Sequence, residues 1–239
     1  MLELRALRGP TGRLLREMLN EKGLLRGRVR GVVNYGYGGG GDGLPVLNAK
    51  AGCCNKYEEL VALDEAGVQT VPFMAQAKAH PQFPVLGRKF HHTRGRDIVV
   101  YSKGVLPRLG DYYTLLIPKQ KEFRVWVFRD KHLATYEKKL EYPERYGRRG
   151  RSKEIWNWGN GFAYEFVRNA SQALKTLAIN AVDALDLDFG GVDIILGVDR
   201  RYYVLEVNTA PGTQGEPRQG LTSLVEKIQW WAENGFPER

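Results

Sequence analysis

One segment near the C-terminus, GVDIILGVDRRYYVLEVN, constrains the fold more than any other part of the chain. Apolar residues precede and follow the polar stretch Asp199-Arg200-Arg201, which predicts two antiparallel strands joined by a tight turn, taken here as the two residues Asp199-Arg200. With that turn, Asp193 lies directly opposite Glu206. Asn208 shares a face with Glu206, because side chains two positions apart on a strand point the same way.

This predicted hairpin face has the composition of a metal site. Two directly opposed carboxylates repel each other unless a cation lies between them. Two carboxylates and an amide oxygen are hard oxygen ligands, which suit Mg²⁺ held together with phosphates. We therefore expect Asp193, Glu206 and Asn208 to bind a metal. The alternative is an acidic face that simply points into water. The segment that follows, 209–213, could bring backbone N–H groups to an anion.

The remaining pattern predicts helices interleaved with antiparallel hairpins. Helices are expected at 11–22, within 55–67, at about 164–185 and near 220–233. Strands are expected at 29–35, 70–75, 84–90, 97–101, 112–118 and on both sides of a turn at 129–131. This order favours α+β layers over a parallel doubly wound sheet.

Four consecutive glycines, Gly38 to Gly41, follow the first of these strands. They are not a phosphate loop, because the segment has no Gly-Lys-Ser/Thr ending and no G-x-G-x-x-G opening a helix. A mobile loop on the substrate side, or a linker, is expected instead.

Composition indicates a globular protein. The chain has 239 residues, 43% of them hydrophobic, which is enough for one large or two small domains. It has no apolar run near the roughly 18 residues that span a bilayer, and its start does not resemble a signal peptide. We therefore expect a cytoplasmic protein without a membrane partner. Two adjacent cysteines, Cys53 and Cys54, are expected to be reduced and half-buried, and two cannot build a zinc site alone.

The formal net charge of +9 fits a nucleic-acid partner, an acidic substrate or plain solubility. The densest basic run, Arg145 to Lys153, is either a solvated mobile loop or a contact to phosphates or acidic side chains. Nucleic acid thus stays open as a partner, but no zinc finger, RRM signature or basic helix supports it.

The sequence GVDIIL followed by LEVNTAPG resembles the metal-binding end of ATP-grasp enzymes, and it is most similar to RimK-type ligases, which add glutamate to protein tails. The resemblance runs in order from Lys56 to the C-terminus. It implies the α+β ATP-grasp fold, in which two subdomains of mostly antiparallel sheet clasp ATP, here after a reduced N-terminal α/β segment. The implied parts are 1–48, 49–112 with the phosphate-covering loop, and 113–239 with the adenine hinge and metal site.

The resemblance assigns nucleotide contacts to several residues. Lys56 matches a lysine that contacts phosphate. The segment PVLGRKFHHTRGRDI looks like the strand, glycine-rich loop and strand over the phosphates, where Arg88 or Lys89 would bind phosphate. Thr93 and Gly95 would cover the triphosphate.

The segment LLIPKQKEF is similar to the hinge whose backbone contacts adenine. This similarity places the adenine near Ile117, Pro118 and Lys119, with Glu122 as the acceptor for the ribose or the adenine amine.

Basic residues after the hinge match those that face the reacting groups in the family. They are Arg124 and either Lys138 or Lys139, which would face the reacting carboxylate and phosphate. Asn160-Gly161 matches a family turn near the active site.

The function implied by the resemblance is an ATP- and Mg²⁺-dependent (Mn²⁺ as an alternative) carboxylate–amine ligase that forms a peptide bond through an acyl phosphate. Its partners would be a carboxylate and an amine, carried by small molecules or peptides, and self-association is left open. The alternatives are an ATP-grasp kinase of small molecules and a nucleotide-dependent binding module. Only about 50 residues precede the grasp, so the substrate side is reduced or rebuilt relative to the family.

Overall fold

A computed structural model describes residues 1–76, 84–90, 98–105, 110–148, 153–212 and 218–238. The helices in these ranges are α1 (Pro10–Glu21), α2 (Lys56–Glu65), α3 (Gln172–Ala184) and α4 (Arg218–Glu233). The strands are β1 (Leu2–Ala6), β2 (Gly31–Tyr35), β3 (Val46–Leu47), β4 (Phe73–Met74), β5 (Val85–Arg88), β6 (Val99–Tyr101), β7 (Tyr112–Leu115), β8 (Lys119–Phe128), β9 (Lys131–Leu140), β10 (Phe162–Phe166), β11 (Phe189–Gly197) and β12 (Tyr202–Asn208). None of the described helices is long and apolar enough to cross a membrane.

The N-terminal part is a three-stranded parallel sheet in the order β1-β2-β3, with α1 as the crossover between the first two strands. Strand β1 is absent from the sequence prediction, because its alternating LELRA pattern is short and becomes a strand only by pairing with β2. The sheet and α1 have the α/β composition that is predicted for the N-terminal segment.

The glycine-rich loop packs against this segment. A Cβ at Gly38 would lie 2.0 Å from the Ala51 carbonyl oxygen, so only glycine fits there. The Gly39 N–H donates to Ala49 O at 3.0 Å, and Asn34 Nδ2 donates to the Gly39 carbonyl at 3.0 Å. These contacts join the loop to the chain that leads into α2.

A four-stranded antiparallel sheet in the order β4-β7-β5-β6 contains the predicted hairpin of β5 and β6. The tip of that hairpin, with Thr93 and Gly95, lies outside the described residues.

The central sheet is antiparallel, in the order β10-β9-β8-β11-β12. One face of β8 carries Phe123, Val125 and Val127, which pack in an apolar cluster with α3. On the other face, Trp126 and Phe128 pack in a cluster with α4 and the N-terminal sheet. This second face also carries Glu122 and Arg124 near the start of β8, so a polar group lies beside an apolar core on the same face.

The β11–β12 hairpin departs from the predicted two-residue turn. Gly197 N–H donates to Arg201 O, which leaves a three-residue turn, and Arg200 within it has a left-handed φ of 63°. An odd-length turn shifts the register by one residue. A β-bulge between Asp193 and Ile194 shifts it back, so the predicted pairing of Asp193 with Glu206 is present.

The predicted helix at 164–185 begins too early. Residues 162–166 form strand β10 and pair with β9, because the alternating FAYEF sequence fits a half-buried strand. Helix α3 begins only at Gln172, where the Ser171 side chain caps it by accepting from Leu174 N–H.

Candidate active site

The candidate metal ligands come together at the open end of the β11–β12 hairpin. Asp193 lies directly opposite Glu206, and Gly191 opposite Asn208. The Asn208 amide nitrogen donates to Asp193 Oδ2 at 3.3 Å and to Glu206 Oε1 at 3.1 Å. The amide thus bridges two carboxylates that would otherwise repel each other.

Arg124 lies opposite Asp193 on the neighbouring strand β8. Its guanidinium donates to both carboxylate oxygens, from Nε and from Nη2, at 2.7 Å each. It also lies over the Tyr164 ring, with Cζ 4.8 Å from the centroid. Burial opposes the charged form of Arg124, but the Asp193 carboxylate outweighs it and raises the pKa of the guanidinium above its usual range.

Lys56 approaches the same carboxylates from α2. It is the first residue of the helix, which Asn55 and Glu58 begin with a capping box. Its ammonium lies 3.1 Å from Glu59 Oε2 and 3.5 Å from Glu206 Oε2. Burial opposes its charge, yet the two carboxylates raise the pKa of Lys56. Burial likewise opposes the charged form of Glu206, but Lys56 and then Arg124 hold its pKa well below its usual range.

A second ionic group lies on the same sheet face. Glu122 accepts hydrogen bonds from Lys119 Nζ, at 2.5 Å, and from Lys138 Nζ. Burial opposes the charged form of Glu122, but Lys119 and then Lys138 lower its pKa to about 2. Trp156 contacts both lysines, since its carbonyl accepts from Lys138 at 3.0 Å and its ring lies 4.5 Å from the Lys119 ammonium.

The two candidate lysines of β9 separate onto opposite faces of the sheet. Lys138 pairs with Tyr164 across the sheet and faces Glu122. Lys139 points to the other face, where its ammonium donates to Glu137 at 2.6 Å. The structure therefore does not bring Lys139 to the candidate site.

The two candidate phosphate ligands at the end of β5, Arg88 and the following Lys89, are also held differently. Arg88 donates from Nε to the Thr114 hydroxyl at 3.1 Å, and its charge contributes to the low pKa of Glu206. The ammonium of Lys89 donates to Asp111 at 3.0 Å. Arg88 is thus the one whose charge acts on the candidate metal group.

The predicted adenine hinge connects the four-stranded sheet to the central sheet. Ile117 packs with Ile195 and Tyr203 in an apolar cluster between the sheets. The Pro118 carbonyl accepts from Val198 N–H at 2.9 Å, which ties the hinge to the turn after β11. Glu122, expected to accept from the ribose or the adenine amine, already accepts from two lysines.

The donor set fits a hard divalent cation by its chemistry. The described residues contain no cluster of three or more His, Cys, Asp or Glu side chains that could hold a metal ion. The fit therefore rests on two carboxylates and the amide of Asn208. The Asn208 amide directs its nitrogen at Asp193 and Glu206, and turning it over would present the oxygen instead. Arg124 and Lys56 supply the positive charge that a cation would supply at the two carboxylates.

A cavity of about 370 Å³ adjoins this group. It lies between the N-terminal segment, the first turn of α2 and the end of β12, with Lys56, Glu59 and Asn208 in its wall. Cys54 also lines it, and both cysteines are free, as expected, but exposed rather than half-buried.

The basic run has aromatic neighbours where it is described. The Arg145 guanidinium lies 4.3 Å from the Tyr142 ring centroid and 5.2 Å from that of Trp158. Residues 149–152 lie outside the described ranges. Asn160, predicted to lie near the active site, is buried, and its amide donates to the Ile155 carbonyl at 2.6 Å, which shapes the segment carrying Trp156.

Sequence reasoning missed Glu59, Tyr164 and Trp156. A signal for Glu59 was present, because it lies three positions after Lys56 in a predicted helix, where opposite charges meet. No local pattern marks Tyr164, which reaches the site by the pairing of β10 with β9, or Trp156, which lies in the segment between these strands.

Comparisons with known proteins agree with this architecture. Residues 119–231 match a family described as RimK-like ATP-grasp domain. A search of curated proteins found no match. Among solved structures, the ATP-grasp ligase PsnB is similar with a TM-score of 0.67 and 12% identity, over 96% of this chain and 97% of that one.

Two further solved structures have the same architecture. D-alanine–D-alanine ligase from Bacillus anthracis gives a TM-score of 0.62 at 13% identity, over 98% of each chain. The macrocyclase MdnC from Microcystis aeruginosa MRC gives 0.60 at 13% identity, over 95% of this chain and 98% of that one. At such identities the likeness establishes the fold, and the family match covers the strands that carry the candidate site. The chain therefore has the ATP-grasp fold, and its residues 119–231 match the RimK-like ATP-grasp domain family.

Proposed function

We propose that this protein is an ATP- and Mg²⁺-dependent ligase that joins a carboxylate to an amine through an acyl phosphate. The observation that carries the proposal is the shared sheet face on which Asp193, Glu206 and Asn208 lie beside Arg124. Phosphoryl transfer needs this composition, because its catalysis consists largely of positioning and of neutralising phosphate charge.

In the first step, an oxygen of the substrate carboxylate attacks the γ-phosphorus of ATP. The bond between that phosphorus and the β–γ bridging oxygen breaks, and ADP leaves. Lys56 and Arg88 would hold phosphate oxygens, while Asp193, Glu206 and Asn208 would hold Mg²⁺. When bound, the cation would neutralise phosphate charge.

In the second step, the amine nitrogen attacks the carbonyl carbon of the acyl phosphate. The carbon–oxygen bond to phosphate breaks, inorganic phosphate leaves and the nitrogen loses a proton. Arg124 and Lys138 would stabilise the oxyanion that forms in between. Their side chains are only 14% and 13% exposed, so their charges act in a medium of lower dielectric constant than water.

The nucleotide is proposed to bind between the four-stranded and central sheets, with adenine at Ile117, Pro118 and Lys119. Thr93 and Gly95 would belong to the loop over the phosphates. Lys89 and Lys139 are not assigned a direct role, because each ammonium is held by a carboxylate away from Glu206. We assign substrate binding to residues 1–48 and the loop over the phosphates to residues 49–112. The adenine hinge and the metal site belong to residues 113–239.

The substrates are proposed to be peptides or small molecules that carry the carboxylate and the amine. PsnB was solved with its minimal precursor, Mg and ADP, and MdnC with the precursor peptide MdnA. The excess of basic residues favours an acidic partner. A cytoplasmic location remains a prediction.

The test is an ADP-release screen of amino acids and peptides with ATP and Mg²⁺, followed by mass spectrometry of the products. The expected product is the condensed mass, the sum of both substrates less one water. A product heavier by one phosphoryl group, formed without an amine, would instead identify a kinase. Nucleotide binding without any ADP release would instead identify the protein as a nucleotide-dependent binding module.

A further inference from the structure

We propose that Glu59 is a positioning residue that holds Glu206 and Lys56 in place for Mg²⁺ and ATP, an inference that rests on the proposed function. Glu59 lies on α2 and is 6% exposed. Its carboxylate has two partners of different kinds. Oε2 accepts from the Lys56 ammonium at 3.1 Å, and Oε1 accepts from the backbone N–H of Val207 at 2.5 Å.

The contact with Val207 fixes the strand that carries two candidate metal ligands. Val207 lies between Glu206 and Asn208 on β12, which is an edge strand of the central sheet. The N–H groups on the outer side of an edge strand need partners from outside the sheet. Residues 69–71 bond to Val204 on this side, and Glu59 takes the N–H of Val207 further along. Any shift of the backbone at Val207 would move both neighbouring ligands.

The contact with Lys56 divides one ammonium between two carboxylates. The Lys56 nitrogen is 3.1 Å from Glu59 and 3.5 Å from Glu206. Without Glu59, the half-buried ammonium would have Glu206 as its nearest carboxylate and would compete with a metal for it. With Glu59 present, Glu206 can bind a cation while Lys56 keeps a counter-ion. Glu59 therefore lowers the Mg²⁺ concentration that nucleotide binding requires.

The substitution Glu59→Gln tests this role, because it keeps the side-chain volume but leaves one acceptor oxygen for two donors. We expect half-maximal ATP binding, measured by calorimetry across a Mg²⁺ titration, to require about tenfold more Mg²⁺, as for the loss of one charge-assisted hydrogen bond. The amide of Val207 should also exchange with solvent faster. The control Glu65→Gln, at the exposed end of α2, should match the native protein in both measurements.

The outcomes separate this inference from the proposed function. If the native protein and Glu59→Gln require the same Mg²⁺ concentration, the role of Glu59 is overturned, but the proposed ligase function is not affected. A native protein that binds no Mg·ATP would overturn both. The variant Glu59→Asp keeps the charge but is shorter, so its Mg²⁺ requirement should lie between those of the native protein and Glu59→Gln. A native-like requirement in Glu59→Asp would count against the two-point contact if Glu59→Gln fails to fold.

Discussion

Arg124 and Asp193 face each other across neighbouring strands and are joined by two hydrogen bonds of 2.7 Å. Their side chains are 14% and 6% exposed, so the pair is largely withdrawn from water. A carboxylate has lone pairs beyond the two that a guanidinium fork uses. Asp193 can therefore stay bound to Arg124 while it offers its remaining lone pairs to a cation. The pair fixes both the candidate metal ligand and the candidate catalytic cation.

Replacing Arg124 with lysine should lower kcat/KM for ligation by about 100-fold or more, because lysine is a point charge that cannot make the paired bonds to Asp193. Alanine is a less clean test, since an unpaired buried carboxylate costs about 3–5 kcal/mol of stability. The measurement is ADP release at saturating ATP, together with denaturant unfolding. The control is Arg13→Lys on the exposed face of α1. Native activity in Arg124→Lys would contradict the assignment.

Replacing Glu206 with alanine should abolish turnover while the fold survives. Lys56 would keep Glu59 as its counter-ion, so the substitution leaves no buried ammonium without a partner. ADP release and thermal unfolding followed by circular dichroism measure the two effects. Full activity of this variant with Mg²⁺ and ATP would overturn the metal assignment.

The pairing of Asp193 with Glu206 is predicted from a two-residue turn at Asp199-Arg200, and the pairing is present although that turn is not. The three-residue turn and the compensating bulge depend on local backbone angles, including the left-handed Arg200, which hydrophobic patterns do not encode.

Residues that reach the site through long-range packing were beyond sequence reasoning. Alternation predicts that only one of Lys138 and Lys139 faces the site, but which one depends on how the whole sheet is covered. The predicted helix at about 164–185 wrongly includes residues 164–166 of β10, because the pairing of β10 with β9 is not a local property. Trp156 precedes β10 and contacts Lys119 at the start of β8, a long-range contact that no local pattern marks.

The carboxylate of Glu122 should make stability depend on pH in acid. Its pKa is lowered from 4.5 to about 2 in the folded protein, so its contribution is complete above pH 4.5 and is lost as the pH falls toward 2. The free energy of unfolding of native protein should exceed that of Glu122→Gln near neutral pH, by roughly 3 kcal/mol at most. Denaturant unfolding from pH 6 to pH 3 should show this difference shrinking in acid. A difference that is constant or grows in acid would contradict the ion pairs with Lys119 and Lys138.

A hydrogen bond from Tyr35 connects the N-terminal sheet to the turn beside the candidate site. This buried side chain on β2 donates its hydroxyl to the carbonyl of Pro211 at 2.5 Å. Pro211 follows Asn208 by three residues and packs closely on Gly191, where an added Cβ would lie 2.5 Å from the Pro211 Cβ. The bond thus holds the turn after the metal ligands against the part of the chain expected to choose the substrate.

Tyr35→Phe removes only the hydroxyl and leaves the Pro211 carbonyl without that donor. We expect the free energy of unfolding to fall by about 1 kcal/mol. We also expect kcat/KM for the substrate to fall at temperatures where the variant is fully folded, because the turn beside Asn208 would no longer be fixed. The matched control is Tyr37→Phe, whose ring is 44% exposed two residues later. A drop in stability without any change in kcat/KM would mean that Tyr35 supports the fold and not the site. Equal losses of kcat/KM in both variants would remove the special role of the bond to Pro211.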